Sequence, residues 1–381
     1  LERLANRPVA SMPWPSLSAL FARSTRSLPY PFEAPQTTLW TSARIALWEA
    51  IQVLDLRPGQ RVALPAFCCG SELEPFLKAG LELSFFAVGD DLSPEPNSFR
   101  EAIENASAAM ATHYFGLPAD LSAARDMAWQ RKIPLIEDCA HALYATEGAT
   151  QIGLSGDAAI FSFWKTVPLP DGGALHLRAG AVRARPKSPP PELIRHATRH
   201  LLSRSMRSHS VGAVRALEDM RQRLRRKKTS TASGTAEPEN WHLIKFPDEL
   251  IRAGMASSSQ RIFRGTDHAF VRESRRRHFR ELEAAFAGIR GFTPMSSLGE
   301  GACPLYFPVL VDDAAGLRKA LAAEAVGVKH IWPYFHSSVP WSRFPRERHW
   351  KEKAIGFPVH QSLSDGDVAR LIDVVKRWSR S

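Results

Sequence analysis

Cysteine is scarce and poorly spaced: the 381-residue sequence holds four, Cys68, Cys69, Cys139 and Cys303. No CxxC pair occurs, which argues against a zinc site, and adjacent cysteines such as Cys68–Cys69 rarely bond each other. A reduced, cytoplasmic setting is the expectation. No apolar run reaches the ~18–20 residues that span a bilayer. The opening LERLANRPVASMPWP lacks the apolar middle of a secretory signal, and position 1 is Leu rather than Met, so a trimmed start is expected. Neither a GxGxxG nor a P-loop motif occurs in usable context, so dinucleotide and P-loop readings lose support. There is no internal repeat.

Acid is also in deficit. Fifty Lys and Arg face 39 Asp and Glu, a formal net charge of +11. Such a balance suits nucleic acid, an anionic membrane surface or an anionic small substrate, and the location of the charge decides among them. With 44% hydrophobic and 23% charged residues the chain is otherwise ordinary for a globular protein.

From about 40 to 178 helix-like and strand-like segments alternate. SARIALWEAIQVLDL (42–56) has an apolar helical face through Leu47, Ala50, Ile51 and Leu54, with Thr41 or Ser42 as N-cap. Pro58–Gly59 turns the chain. Strands are predicted at 61–65, 82–88, 108–116, 133–138, 157–163 and 174–178, and helices at 71–80, 97–106 and 119–132. This alternation predicts an α/β fold, a mostly parallel central sheet with helices on both faces. Ligands in such sheets bind beyond the carboxyl ends of the strands. That edge would hold Asp138, Lys165 and the Thr41–Ser42 helix start.

From 179 to about 240 the sequence turns rich in Arg, Lys, Ser and Pro. It reads as one or two basic helices and then a polar linker near 229–240. Interleaved aromatics are few there, which counts against nucleic acid; an anionic membrane surface stays open for 179–228. A long helix-like stretch at 254–289, a strand at 303–311 and helices at 314–326 and 366–378 follow. The expected division is an N-terminal arm (1–38), a large α/β domain (39–178), a basic insert with linker (179–240) and a small C-terminal α+β domain (241–381).

FSFWKTVPLPDGGALHL (161–177) delivers Lys165 at the end of a buried-looking strand, followed by a Pro/Gly corner. A lysine there is either an ordinary surface lysine or a desolvated, nucleophilic one of the Schiff-base type. Asp138 closes PLIED; a strand-end Asp is often a helix cap, but it can also keep a pyridine nitrogen protonated. Glu137 and Asp138 point in opposite directions on a strand. The helix start at Thr41–Ser42–Ala43 suits phosphate, although capping alone explains it. His141 stands three residues after Asp138; it and His113, in HYFG (113–116), are either ligand contacts or partly buried loop residues.

Five stretches in order then carry a resemblance: TSARIALWEAIQVLDLRPGQRVALPAF, THYFGLPADL, PLIEDCAHALYA, GDAAIFSFWKTVPLPDGGAL and FPVHQSLSDGDVARLIDVV. Together they resemble the DegT/StrS family of pyridoxal-phosphate sugar aminotransferases, of fold-type I, over about 39–178 and again from about 250 to the end. The resemblance implies that Lys165, seven residues before Gly172, is the Schiff-base lysine, and that Asp138 pairs with the pyridine nitrogen. It implies that His141 lies beside the phenolic oxygen, and that Thr41, Ser42, Ala43 and Ser162 hold phosphate. Cys69 falls where the family's ring-stacking aromatic stands, so Phe67, the nearest aromatic, is expected to stack instead. Ser162 precedes Lys165 by three residues where the family has five, and Asp171 stands where Glu is commoner. The resemblance further implies a homodimer, an amino-acid donor (glutamate) and a keto-sugar acceptor carried on a nucleotide, for surface-polysaccharide or secondary-metabolite sugars. Retention of the lysine favours transamination over deoxygenation. Two alternatives stand beside it: a cyclitol or other small ketone as acceptor, and a non-catalytic protein of this fold holding an anionic partner through the basic insert.

Overall fold

The computed structural model describes residues 8–14, 27–180, 185–199 apart from 196, and 245–380. Within the basic segment 179–240, residues 191–195 and 197–199 are helical, as one expected basic helix predicts, and 200–240, with the expected linker, lie outside the described residues. Strand β1 (Thr37–Trp40) leads into helix α1 (Ala43–Val53), followed by β2 (Arg61–Pro65), α2 (Glu74–Lys78), β3 (Glu82–Phe86) and α3 (Pro96–Ala102). Next come β4 (Ala108–Thr112), α4 (Ser122–Gln130) and β5 (Leu135–Cys139). A small hairpin, β6 (Thr146–Glu147) and β7 (Thr150–Gln151), precedes β8 (Ala158–Ser162) and β9 (Gly173–Leu177).

Seven of these strands form one sheet in the order β1-β9-β8-β5-β4-β2-β3. The five from β3 to β8 run parallel, while β9 lies antiparallel to β8 and β1 antiparallel to β9. Side chains alternate between two faces. Val62, Leu64, Ala108, Met110 and Ile136 pack with α1 and α2 residues such as Ile45, Ile51 and Phe76. Ala63, Ala109 and Ala111 point the other way, against Phe99, Ala102, Ala124 and Ala128 of α3 and α4. The helices lie on both faces, and the mostly parallel α/β sheet is as the alternation predicts. Strand β1, absent from the sequence reading, is a four-residue edge strand with only Trp40 fully buried, too short to show a period.

The second half begins with α5 (Ser257–Gly265) and α6 (His268–Phe286). One helix was expected over 254–289. The structure breaks it because Thr266 is extended (φ −72°, ψ 137°) and the Asp267 carboxylate accepts the Phe270 N–H, starting a new helix. Then come β10 (Phe292–Pro294), β11 (Tyr306–Val311), α7 (Ala314–Ala323), β12 (Lys329–His330), α8 (Pro345–Lys353), β13 (Ala354–Pro358) and α9 (Asp365–Trp378). The four strands make an antiparallel sheet, β10-β11-β13-β12. Phe279, Phe286, Phe307, Phe357, Leu371 and Val375 join α6, α9 and this sheet into one core. Each fully buried Leu or Phe there contributes about 1.5–3 kcal/mol relative to exposure. Among the described residues no helix is long and apolar enough to cross a membrane.

Candidate active site

Five chain segments reach one edge of the large sheet. Strands β2, β4, β5 and β8 end there. Because β1 and β9 are antiparallel with Trp40 opposite Gly173, the end of β1 and the start of β9 meet at that edge too. The chain therefore brings Thr41–Ala43, Phe67–Cys69, His113–Gly116, Asp138–His141 and Ser162–Lys165 together. A groove of about 690 Å³ at the opposite ends of the strands, lined by Trp129, Arg125, Lys132 and Arg178 among others, contains none of these residues.

The helix start is built by close approach. Ser42 Oγ accepts the Ile45 N–H at 3.4 Å as N-cap, while the Thr41 carbonyl accepts the Gly172 N–H at 2.8 Å. Gly172 has φ +139°, a region side-chain-bearing residues avoid. A Cβ on Gly173 would lie 2.4 Å from the Ser42 carbonyl carbon and 2.5 Å from the Ala43 nitrogen. The glycine pair thus lets β9 lie directly against the first turn of α1, whose unpaired N–H groups suit an anion. Asp171, just before the pair, accepts the Ala256 N–H at 2.9 Å and the Ser259 hydroxyl, tying down the start of α5, and its carboxylate is also hydrogen-bonded by the Thr41 side chain. Ser162 is buried, opposite Gly173 in the sheet.

Glu137 and Asp138 diverge as strand geometry requires. Glu137 accepts from His113 Nε2 at 3.0 Å, from the Gly153 and Ser155 amides at 2.9 Å each, and from the Gly156 amide. The Ala119 N–H donates to His113 Nδ1 at 3.0 Å, so Nε2 carries the proton. Burial pushes the Glu137 carboxyl up, but His113 and these amides outweigh it and leave it below its usual range. Cys139 lies with His113 and Glu137, their donor atoms within 4.8 Å of one another. Burial holds the Cys139 thiol well above its usual range, so it keeps its proton, and the other two already satisfy each other. The His113–Glu137 hydrogen bond, with Cys139 buried beside it, fixes the tips of β4 and β5.

Asp138 faces the other way. Its Oδ1 accepts the Ala140 N–H at 2.9 Å. Burial pushes the carboxyl up to about 6, against the opposing charge of Lys165, while Glu72 adds to the rise. Lys165 sits half-buried in the turn after β8, with Trp164 beside it exposed. Its charge acts on Asp138, Cys69, His141 and Lys329. Burial, then Lys165 and Lys329, drive the His141 imidazole well below its usual range and keep it neutral. His141 stacks on Trp332 at 5.3 Å and on Phe115 at 5.9 Å, and the Phe115 N–H donates to its Nδ1 at 3.4 Å.

Phe67 is fully enclosed, with Trp332, Trp350 and Tyr114 rings 4.9, 5.2 and 5.3 Å away. It has no open face. Trp332 is half-buried and stacked on His141, and no sequence signal pointed to it. It holds φ +49° directly before Pro333, an uncommon backbone for a bulky residue. Cys69, at the expected stacking position, donates from Sγ to Glu72 Oε2 at 2.7 Å; burial and Glu72 push its thiol up to about 12 against Lys165. Sequence reasoning also missed Glu72 and Lys329. Lys329 is an exposed residue, and desolvation and then Lys165 push its ammonium below its usual range.

Comparison with known proteins agrees with this geometry. Residues 34–212 match the DegT/DnrJ/EryC1/StrS aminotransferase family. Over 140 residues the chain is 28% identical to GDP-perosamine synthase of Vibrio cholerae, covering 36% of this chain and 38% of that protein. Over 145 residues it is 32% identical to dTDP-4-dehydro-2,3,6-trideoxy-D-glucose 4-aminotransferase of Saccharopolyspora spinosa, covering 37% of this chain and 38% of that one. The matches thus span well under half the length of these curated relatives. The aminotransferase TlmJ from Streptoalloteichus hindustanus shares the fold, with a TM-score of 0.65 at 20% identity, over 91% of this chain and 86% of that chain. Over residues 34–212, just under half of its length, the chain is similar to the DegT/DnrJ/EryC1/StrS aminotransferase family.

Proposed function

We propose that this chain is a pyridoxal-phosphate-dependent aminotransferase that moves an amino group from an amino acid, glutamate by family resemblance, to a keto-sugar carried on a nucleotide. The observation that carries the reading is the placement of Lys165 at the edge where the strands end, near enough for its charge to act on the buried Asp138 carboxyl. The residues fit the cofactor. Asp138 is an acid that burial pushes up to about 6, so a cation beside it would relieve the cost of its charge. The first turn of α1, with Ser42 and the close Gly173, offers amides and a hydroxyl to a phosphate.

When bound, the cofactor supplies an aldehyde for amine exchange and a ring that takes up the electron pair released when a C–H bond breaks. Lys165 would hold it and then carry the proton between the substrate carbon and the cofactor's exocyclic carbon, as a general base and acid. Asp138 would keep the ring nitrogen protonated. Neutral His141, its Nδ1 engaged by the Phe115 amide, has Nε2–H to donate to the ring's oxygen. Thr41, Ser42, Ala43 and Ser162 would hold the phosphate. Phe67 is assigned to packing, and Trp332 to the wall beside His141.

Both curated relatives are named for nucleotide-sugar products or substrates, which supports that acceptor class over a cyclitol or simple ketone. We take the two sheets as cores of two domains, 39–178 and 241–381, and a homodimer as the working assembly. The test is spectral. Purified protein given pyridoxal phosphate should develop a visible band that borohydride abolishes, and Lys165→Ala should lack it. A correctly folded protein that takes up no cofactor would overturn the reading.

A further inference from the structure

Lys165 lies in a single turn, Phe163–Val167, where the Thr166 and Val167 amides both donate to the Phe163 carbonyl, at 3.0 and 2.8 Å. Carbonyls at the end of such a turn have no partner inside it. That of Thr166, the residue after the lysine, is taken by two distant side chains. Arg275 of α6 donates from Nη2 at 2.9 Å, and Gln361, between β13 and α9, donates from Nε2 at 3.1 Å.

Arg275 also reaches the other way. Its Nη1 donates to the Pro304 carbonyl at 3.0 Å and to that of Leu305 at 3.3 Å. That loop is pinned in turn to the end of β4: the Leu305 amide donates to the Phe115 carbonyl at 2.6 Å, and the Cys303 amide to the Gly116 carbonyl at 2.9 Å. One guanidinium therefore joins the lysine turn to the segment that stacks on His141.

Arg275 is 0% exposed, and among the described residues its Nε has no partner. Among the described residues the groups that act on its charge are Cys303, Tyr306 and Tyr144, none of them a carboxylate. A buried charge without a counter-charge is costly, and a methionine of similar length would fill the space without that penalty. What the guanidinium adds is a planar fork that grips two backbone segments in fixed relative positions.

We infer that Arg275 and Gln361 are positioning residues for Lys165, holding the Thr166 carbonyl so that the amine is presented at one place relative to Asp138 and His141. This rests on Lys165 being the cofactor-bearing residue. Neither side chain touches substrate; both act through the turn.

The experiment uses the full chain as wild type, Arg275→Met, Arg275→Lys and Gln361→Leu. Pyridoxal phosphate is titrated against the visible band, the pH at which that band changes is recorded, and kcat and KM for the amino donor are measured separately. Misplacing a reacting group by about 1 Å costs roughly 100-fold in rate. Arg275→Met should therefore lower kcat about 10- to 100-fold with KM nearly constant, weaken cofactor binding and shift the pH of the band. Arg275→Lys should fall between it and wild type. Gln361→Leu should move the same quantities in the same direction, about threefold, because one donor remains. Should Arg275→Met fail to fold, Gln361→Leu and Arg275→Lys decide. Folded variants with unchanged kcat, cofactor affinity and band pH would overturn the positioning role while leaving the function of Lys165 intact. A wild type without any band removes the reading of Lys165, and the positioning role with it.

Discussion

Two acids stand next to each other on β5 and live in opposite surroundings. The pocket around Glu137 supplies four N–H donors and leaves its carboxyl below the usual range. The cleft around Asp138 supplies one amide, and burial lifts the carboxyl to about 6. Both residues are nearly inaccessible, at 2% and 7%. The difference teaches that burial alone does not set the state of an acid; the supply of donors does. One region is finished without a ligand, and it holds the strand tips still. The other has one amide donor among the described residues, and that short supply is what suits it to a cationic ring nitrogen.

Substitutions can break or sharpen this contrast. The largest effect belongs to the cleft. Lys165→Ala should lower the rate of amine transfer by at least 10²–10⁴-fold, the range for losing a general acid–base group, with the melting temperature nearly constant. A large loss of stability there would mean the cleft is structural too. Next is the finished pocket. Glu137→Ala leaves His113 and three amides without their acceptor and should cost about 3–5 kcal/mol in urea unfolding. The stability that Glu137 contributes is present above the unfolded carboxylate value and is lost as pH falls through its lowered folded value.

Asp138 has the reverse sign. Its folded value, about 6, lies above the 3.8 of the free acid, so the fold favours its protonated form. Without cofactor, its contribution is fully present below the unfolded value and is lost as pH rises through about 6. Asp138→Asn should therefore stabilise the cofactor-free protein by up to about 3 kcal/mol at neutral pH, with the gain vanishing towards pH ~4. A variant less stable than wild type at neutral pH would erase the contrast between the two acids. Smallest is Ser42→Ala, which removes the cap of α1 and should cost about 0.5–2 kcal/mol together with some phosphate affinity. Inorganic phosphate or cofactor titrations of the two proteins measure the second part.

The sequence made one side of this picture legible. Asp138 and Lys165 stand at or just beyond the ends of short apolar strands, and Gly172–Gly173 mark a corner, so local pattern alone drew attention to that edge. The family resemblance then assigned roles that spacing could not. The other side came only from packing. Arg275 sits within SRRRHFR, where basic residues read as a solvated helix face, and its contact with Thr166 spans 109 residues. Trp332 lies in a loop with no period to betray it. The break between α5 and α6 turns on one carboxylate, Asp267, capturing one amide, which a continuous apolar pattern conceals. Spacing put the stacking position on Cys69 and left Phe67 as the nearest aromatic, yet the rings of Tyr114, Phe115, Trp332 and Trp350 close Phe67 off.

The central claim is that one amine among the many lysines of this basic chain bonds the cofactor. The direct measurement is borohydride reduction of the protein after exposure to stoichiometric pyridoxal phosphate, followed by mass spectrometry of its peptides. The account predicts a single stoichiometric adduct on Lys165, diminished when inorganic phosphate competes for the start of α1. An adduct centred on another lysine, Lys329 included, or scattered thinly over the surface, would contradict it.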